Sequence, residues 1–171
     1  MNASPDATQR WNVLFLCRAN SARSQIAQVL LTILGEGRFN AYSAGSDPAH
    51  QVHPMTLEIL RGLEYPLETL RPKSWHEFAE PNAPKMDFVF TVCDDTAGEV
   101  CPTWPGQPLT AHWGFPDPVL AQGNDAQKML AFGEAFRQIR RRLEAFVALP
   151  IDKLDKLSLQ HHVDELGRTP H

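Results

Sequence analysis

The stretch Trp11-Asn12-Val13-Leu14-Phe15-Leu16-Cys17-Arg18-Ala19-Asn20-Ser21-Ala22-Arg23-Ser24 carries fold and chemistry together. Its first six residues form a short apolar run ended by a polar loop, the pattern of a strand buried on both faces of a parallel sheet. Beyond the loop, Ile26, Val29, Leu30, Ile33 and Leu34 recur at helical spacing until Gly35 and Gly37. A helix is therefore expected over about 22–34. In an open parallel sheet ligands bind beyond the carboxyl ends of the strands. Cys17, read as the first residue after the strand, is a site candidate by location alone.

Working outward, 39–44 reads as a second strand closed by Gly45, and Pro54 opens a helix with Leu57, Leu60 and Leu63 on one side. Residues 86–92 form a third strand and 109–113 a weaker fourth. A long helix over 125–146 carries Met129, Phe132, Phe136, Ile139, Leu143 and Phe146 on one stripe. The tail over 151–166 places Leu154, Leu157, Val163 and Leu166 for docking as a final helix that ends at Gly167. Strands alternating with helices predict an α/β fold: a single three-layer domain with a four-stranded parallel sheet flanked by helices. The expected division is a disordered extension over 1–10, a catalytic domain over 11–149 and a helical tail over 150–171.

A chain of 171 residues, 43% of them hydrophobic, buries one core. Its net charge of -4 comes from 16 basic and 20 acidic residues with no basic block, so nucleic acid is not an expected partner. No apolar run approaches the roughly 20 residues that span a bilayer, and residues 1–10 lack the charged and apolar regions of a secretion signal. A soluble, cytoplasmic monomer with no membrane partner is expected. Three cysteines are an odd set, and in a reducing compartment their positions matter more than their number.

The loop from Cys17 to Arg23 feeds a helix N-terminus, whose orphan backbone N–H groups and positive dipole end favour an anion. Arg23 adds a planar fork that takes two oxygens of a tetrahedral oxyanion such as phosphate or arsenate. These surroundings predict a Cys17 pKa lowered from about 8.5 toward roughly 3.5–7.5, with the Ser24 hydroxyl donating to the sulfur. Asn20 tolerates left-handed dihedrals and would hold the loop, while Ser21 and Ala22 are too small to crowd a ligand. Residues Arg18, Ala19, Asn20, Ser21, Ala22, Arg23 and Ser24 are the expected binding loop.

Expelling water from a bound oxyanion needs a proton donor, and Asp117, in the stiff loop Gly114-Phe115-Pro116-Asp117-Pro118, is the candidate acid. An Asp-Pro pair that merely starts a turn is the plainer alternative. Cys93 ends the third strand on the same sheet edge as Cys17, and Cys101 follows on a polar loop, so two thiols could shuttle a disulfide. Two incidental thiols remain the alternative. A zinc site is not expected, because neither Cys-x2-Cys nor a His-x3-His set is present, and His161-His162 reads as a solvated pair.

With Cys17-x5-Arg23-Ser24, Tyr42-Ser43-Ala44-Gly45, Cys101-Pro102, His112-Trp113-Gly114 and Asp117-Pro118, the chain resembles arsenate reductases of the low-molecular-weight tyrosine phosphatase-like family over about 11–146. The resemblance implies that fold and a three-thiol mechanism. Cys17 would form a thiol-arsenate adduct, Cys93 would attack Cys17 and release arsenite, and Cys101 would take over the disulfide. It further implies an external thiol reductant, thioredoxin or glutaredoxin with glutathione, and no metal or organic cofactor. The chain departs from the family pattern at Arg18-Ala19, where Thr-Gly or Leu-Gly is more usual.

Two other readings use the same loop. A phosphatase acting on phosphotyrosine or small esters would need Cys17, Arg23 and Asp117 unchanged, although Val119 stands where such enzymes carry an aromatic residue. A non-catalytic oxyanion or redox sensor would need no acid.

Overall fold

The computed structural model describes residues 10–93 and 102–168. Most of the expected N-terminal extension and Cys101 fall outside the described residues. β1 (Trp11–Cys17) is flanked by β2 (Phe39–Gly45) and β3 (Phe88–Thr91), with β4 (Leu109–His112) beyond β3. All three pairings are parallel. The chain moves from β1 to β2 and then crosses back to β3, so the strand order reverses between β1 and β3. That switch point opens a crevice at the carboxyl ends of these two strands, where Cys17 and Cys93 stand.

Among the described residues four α-helices flank the sheet: α1 (Arg23–Leu34), α2 (Pro54–Leu60), α3 (Asp125–Val147) and α4 (Lys156–Arg168). Val13 and Phe15 of β1 join Phe88 and Phe90 of β3, the apolar faces of α1 and α3, and Leu159 and Val163 of α4 in one hydrophobic core. Leu14, Leu16 and Val89 point the other way, onto Trp75, Phe78, Met86 and Trp104. A short 3-10 helix, Trp75–Phe78, covers that face. Burial of β1 on both faces explains its unbroken apolar run, each such side chain contributing about 1.5–3 kcal/mol. Phe90 stacks on Trp113 with centroids 3.9 Å apart, and Trp113 donates its indole N–H to the Val163 carbonyl, which binds α4 to the sheet.

Several boundaries differ from expectation for definite reasons. Cys17 is the last residue of β1 and not the first after it, because it pairs in register with Gly45. Gly45 lies inside β2 and serves close approach: a Cβ there would sit 2.3 Å from the Arg18 carbonyl oxygen. β3 is shorter than the 86–92 run, since Met86 turns into the second core cluster and Val92 continues past the ladder. The tail divides into a 3-10 turn, Ile151–Lys153, and α4, whose start Asp155 caps by accepting from the Ser158 N–H. The core-facing stripe is Leu159, Val163 and Leu166 at i, i+4 and i+7, so Leu157 falls off it and is 82% exposed. Gly167 does not end the helix but lets it lie against β4, where a Cβ would meet the His112 carbonyl at 2.4 Å. Leu57 is partly exposed on α2, and Leu60 carries the helix's burial. No helix among the described residues is long and apolar enough to cross a membrane.

Candidate active site

The loop between β1 and α1 is built by turning its carbonyl groups outward. Those of Cys17, Arg18, Ala19 and Ser21 accept the backbone N–H groups of Ser46, Asp47, Ala49 and His53. The Asn20 carbonyl takes the Gln25 side-chain amide, and that of Ala22 takes the Ile26 N–H of α1. Every carbonyl from 17 to 22 is thus held by a donor, and the Asn20 N–H is given to the Cys17 sulfur; a loop whose carbonyls are engaged in this way suits an anion. Asn20 makes the turn possible with φ of 53°, a left-handed conformation that asparagine tolerates better than most residues. The N-terminus of α1 has no side-chain cap, so its dipole end also faces the loop.

Cys17 is 3% exposed. Its sulfur lies 2.8 Å from the Ser24 hydroxyl and accepts the Asn20 N–H at 3.2 Å. Sequence reasoning expected a depressed thiol pKa, and here the direction is reversed. Burial pushes the Cys17 thiol up and the neighbouring Cys93 adds to this, while Ser24 and Arg23 pull it down without prevailing. Arg23 is itself engaged: one terminal nitrogen donates to the Phe115 carbonyl at 2.8 Å and the other pairs with Asp117 at 3.2 Å. The guanidinium is buried, so this pair ties the β4–α3 loop firmly to the site.

Asp117 does two things at once. One carboxylate oxygen faces Arg23, while the other accepts the Val119 N–H and starts the turn Pro118–Leu120. The turn-forming alternative and the site role are therefore compatible. A cavity of about 100 Å³ is lined by Cys17, Arg18, Ala19, Ser21, Ala22, Arg23, Asp117 and Val119, which brings most of the expected loop and the candidate acid to one small space. Asn20 and Ser24 stand behind it, both fully buried. Arg18 is exposed at the mouth, loosely opposed to Asp47 at 3.9 Å.

Cys93 lies two residues beyond β3, next to the end of β1: Leu16 pairs with Thr91, and the Val92 N–H donates to the Leu16 carbonyl. It is buried in the main core and close enough to Cys17 to disfavour its thiolate. Cys101, the third expected thiol, lies outside the described residues. Among those residues no group of three or more His, Cys, Asp or Glu side chains is placed to hold a metal ion, and His161 and His162 are both exposed on α4.

Three contributors escaped sequence reasoning. The 46–53 segment holds the loop carbonyls through backbone N–H groups, which leave no side-chain signature. The Phe115 carbonyl holds Arg23 for the same reason without a signature. Lys73 reaches the loop from a segment with no motif: its backbone N–H donates to the Asn20 side-chain oxygen at 3.0 Å and its ammonium to the Ser43 carbonyl at 3.0 Å.

Known proteins agree with this architecture. The family model described as Low molecular weight phosphotyrosine protein phosphatase matches residues 12–159. An arsenate reductase of Oceanobacillus iheyensis is 34% identical over 135 residues, covering 78% of this chain and 93% of that protein. Among solved structures, an arsenate reductase in a phosphate-binding state is 25% identical with a TM-score of 0.62, covering 81% of this chain and 97% of the other. A thioredoxin-dependent arsenate reductase of Corynebacterium glutamicum is 28% identical with a TM-score of 0.54, covering 79% of this chain and 61% of the other. By its sequence, its four-stranded sheet and its β1–α1 loop, the chain belongs to the low molecular weight phosphotyrosine protein phosphatase family, among relatives that are arsenate reductases.

Proposed function

We propose that the protein reduces arsenate to arsenite, with Cys17 as nucleophile and Cys93 and Cys101 as the thiols that complete the reduction. The observation that carries this reading is the buried thiol of Cys93 beside Cys17 at the switch point. Hydrolysis of a phosphate ester has no use for it, whereas reduction of a bound oxyanion needs a second sulfur within reach of the first. The names of the curated relatives support the same substrate.

In this mechanism arsenate enters the loop, its oxygens taken by the loop's backbone N–H groups and by Arg23 as that side chain turns from Asp117. The Cys17 thiolate attacks arsenic, a sulfur–arsenic bond forms, and an arsenate oxygen leaves as water with a proton from Asp117. The Cys93 thiolate then attacks the Cys17 sulfur. A sulfur–sulfur bond forms, the sulfur–arsenic bond breaks, and its electron pair stays on arsenic, which departs as arsenite. Cys101 attacks Cys93, frees Cys17 and leaves a Cys93–Cys101 disulfide for an external dithiol of the thioredoxin or glutaredoxin and glutathione type. Such a cycle suits the reducing cytoplasm. Residues 11–149 form the catalytic unit in this reading and 150–171 a tail.

Purified protein assayed with arsenate, a thioredoxin system and NADPH, beside an aryl phosphate ester, tests the proposal. Arsenate-dependent NADPH oxidation is expected. Ester hydrolysis without any arsenate turnover, across several thiol reductants, would replace it with a phosphatase.

A further inference from the structure

Lys73 has no part in the mechanism above, yet it is half-buried against the loop that holds Cys17. Its ammonium lies 3.0 Å from the Ser43 carbonyl and 3.4 Å from the Asn20 side-chain oxygen, the same oxygen that accepts the Lys73 backbone N–H. Two donors on that oxygen force the amide nitrogen of Asn20 to the other side, where it donates to the Ser24 hydroxyl at 2.7 Å. The Ser24 oxygen, filled as an acceptor from this direction, keeps its hydrogen for the Cys17 sulfur 2.8 Å away. Were the amide reversed, its oxygen would face Ser24 and compete for that hydrogen.

We infer that Lys73 is a positioning residue for Cys17: through the Asn20 amide it makes Ser24 a donor to the sulfur and so favours the thiolate over the thiol.

Three further features fit this assignment. Gln25 donates one amide group to the carbonyls of both Asn20 and Arg71, which fastens the Lys73 segment to the loop, and the Lys73 carbonyl accepts the Gly45 N–H from the end of β2. The ammonium is embedded among titrating neighbours. Burial and Arg71 lower its pKa to about 8, against the opposing pull of Glu77 and Cys17. It is therefore charged at neutral pH and becomes a weaker donor as pH rises through 8. Finally, an ionised Cys17 favours the charged form of Lys73, so a thiolate at Cys17 strengthens the donor that holds the Asn20 oxygen.

The assignment rests on Cys17 as the reactive thiol, but its test needs no arsenate, so the two readings fail separately. The rate of iodoacetamide alkylation at the Cys17 peptide is followed by mass spectrometry against pH in the full chain, for the native protein, Lys73→Met and Lys73→Arg. At pH 7 the Lys73→Met rate is expected to fall by roughly three- to tenfold, with the profile displaced to higher pH, since alkylation follows the thiolate fraction. Lys73→Arg, which restores a charged donor, should recover most of the rate. Thermal unfolding reports whether each variant folds, and Lys73→Gln, similar in shape but uncharged, replaces Lys73→Met if the latter does not. A folded, uncharged variant whose rate and pH profile match the native protein would overturn the assignment.

Discussion

The carboxyl ends of β1 and β3 lie side by side, β1 ending on the buried Cys17 and β3 followed two residues on by the buried Cys93, yet they are built in opposite ways. At the end of β1, polar geometry surrounds the sulfur: Asn20 donates to it, Ser24 stands beside it, and every loop carbonyl is turned away. At the end of β3, Cys93 sits in the hydrophobic core with Val92, Trp113 and Phe115. In the proposed mechanism Cys17 would act through the groups that hold it, and Cys93 through its position. Variants at the first end should impair every reaction of the site, and variants at the second only the one that needs a second sulfur.

Cys17→Ser is the strongest test of that contrast. It should lower both arsenate reduction and ester hydrolysis by about a thousandfold or more, because a hydroxyl replaces the nucleophile on which the other groups act. Cys93→Ser should stop multiple turnover of arsenate while leaving ester hydrolysis within about twofold of native. Sustained arsenate turnover by Cys93→Ser, measured as arsenite released per protein, would erase the distinction between the two ends. Asp117→Asn removes the proposed acid but keeps a side chain able to start the Pro118–Leu120 turn. A loss of about a hundredfold in kcat with little change in melting temperature is expected. The smallest effect belongs to Gly45→Ala, whose Cβ would press on the Arg18 carbonyl. A loss of about 1–3 kcal/mol in denaturant unfolding should accompany a weaker grip on arsenate, seen as a raised KM.

How much of this could be read from the chain depended on whether the contacts were local. The segment from Trp11 to Ser24 announces itself because strand, loop and helix are contiguous and each follows its own period. Cys93 was legible from its place at a strand end. Asp117 is marked by its stiff Gly/Pro loop, which alone suits a turn as well, and by the family resemblance, since its partner Arg23 lies far away in sequence. The 46–53 segment, the Phe115 carbonyl and Lys73 were silent, because they act through backbone groups or a single lysine brought in by the fold. In α4 the apolar residues are visible in the chain, but the core-facing stripe is Leu159, Val163 and Leu166, and Leu157 lies off it. The direction of the Cys17 pKa differs from the sequence expectation because its burial and the nearness of Cys93 are properties of the packed site.

The most direct test of the thiol relay is a single turnover without external reductant. Fully reduced protein mixed with excess arsenate should release one arsenite per chain and end with a Cys93–Cys101 disulfide in the mass spectrum. Release of no arsenite, or one arsenite with Cys93 still a free thiol, would contradict the account.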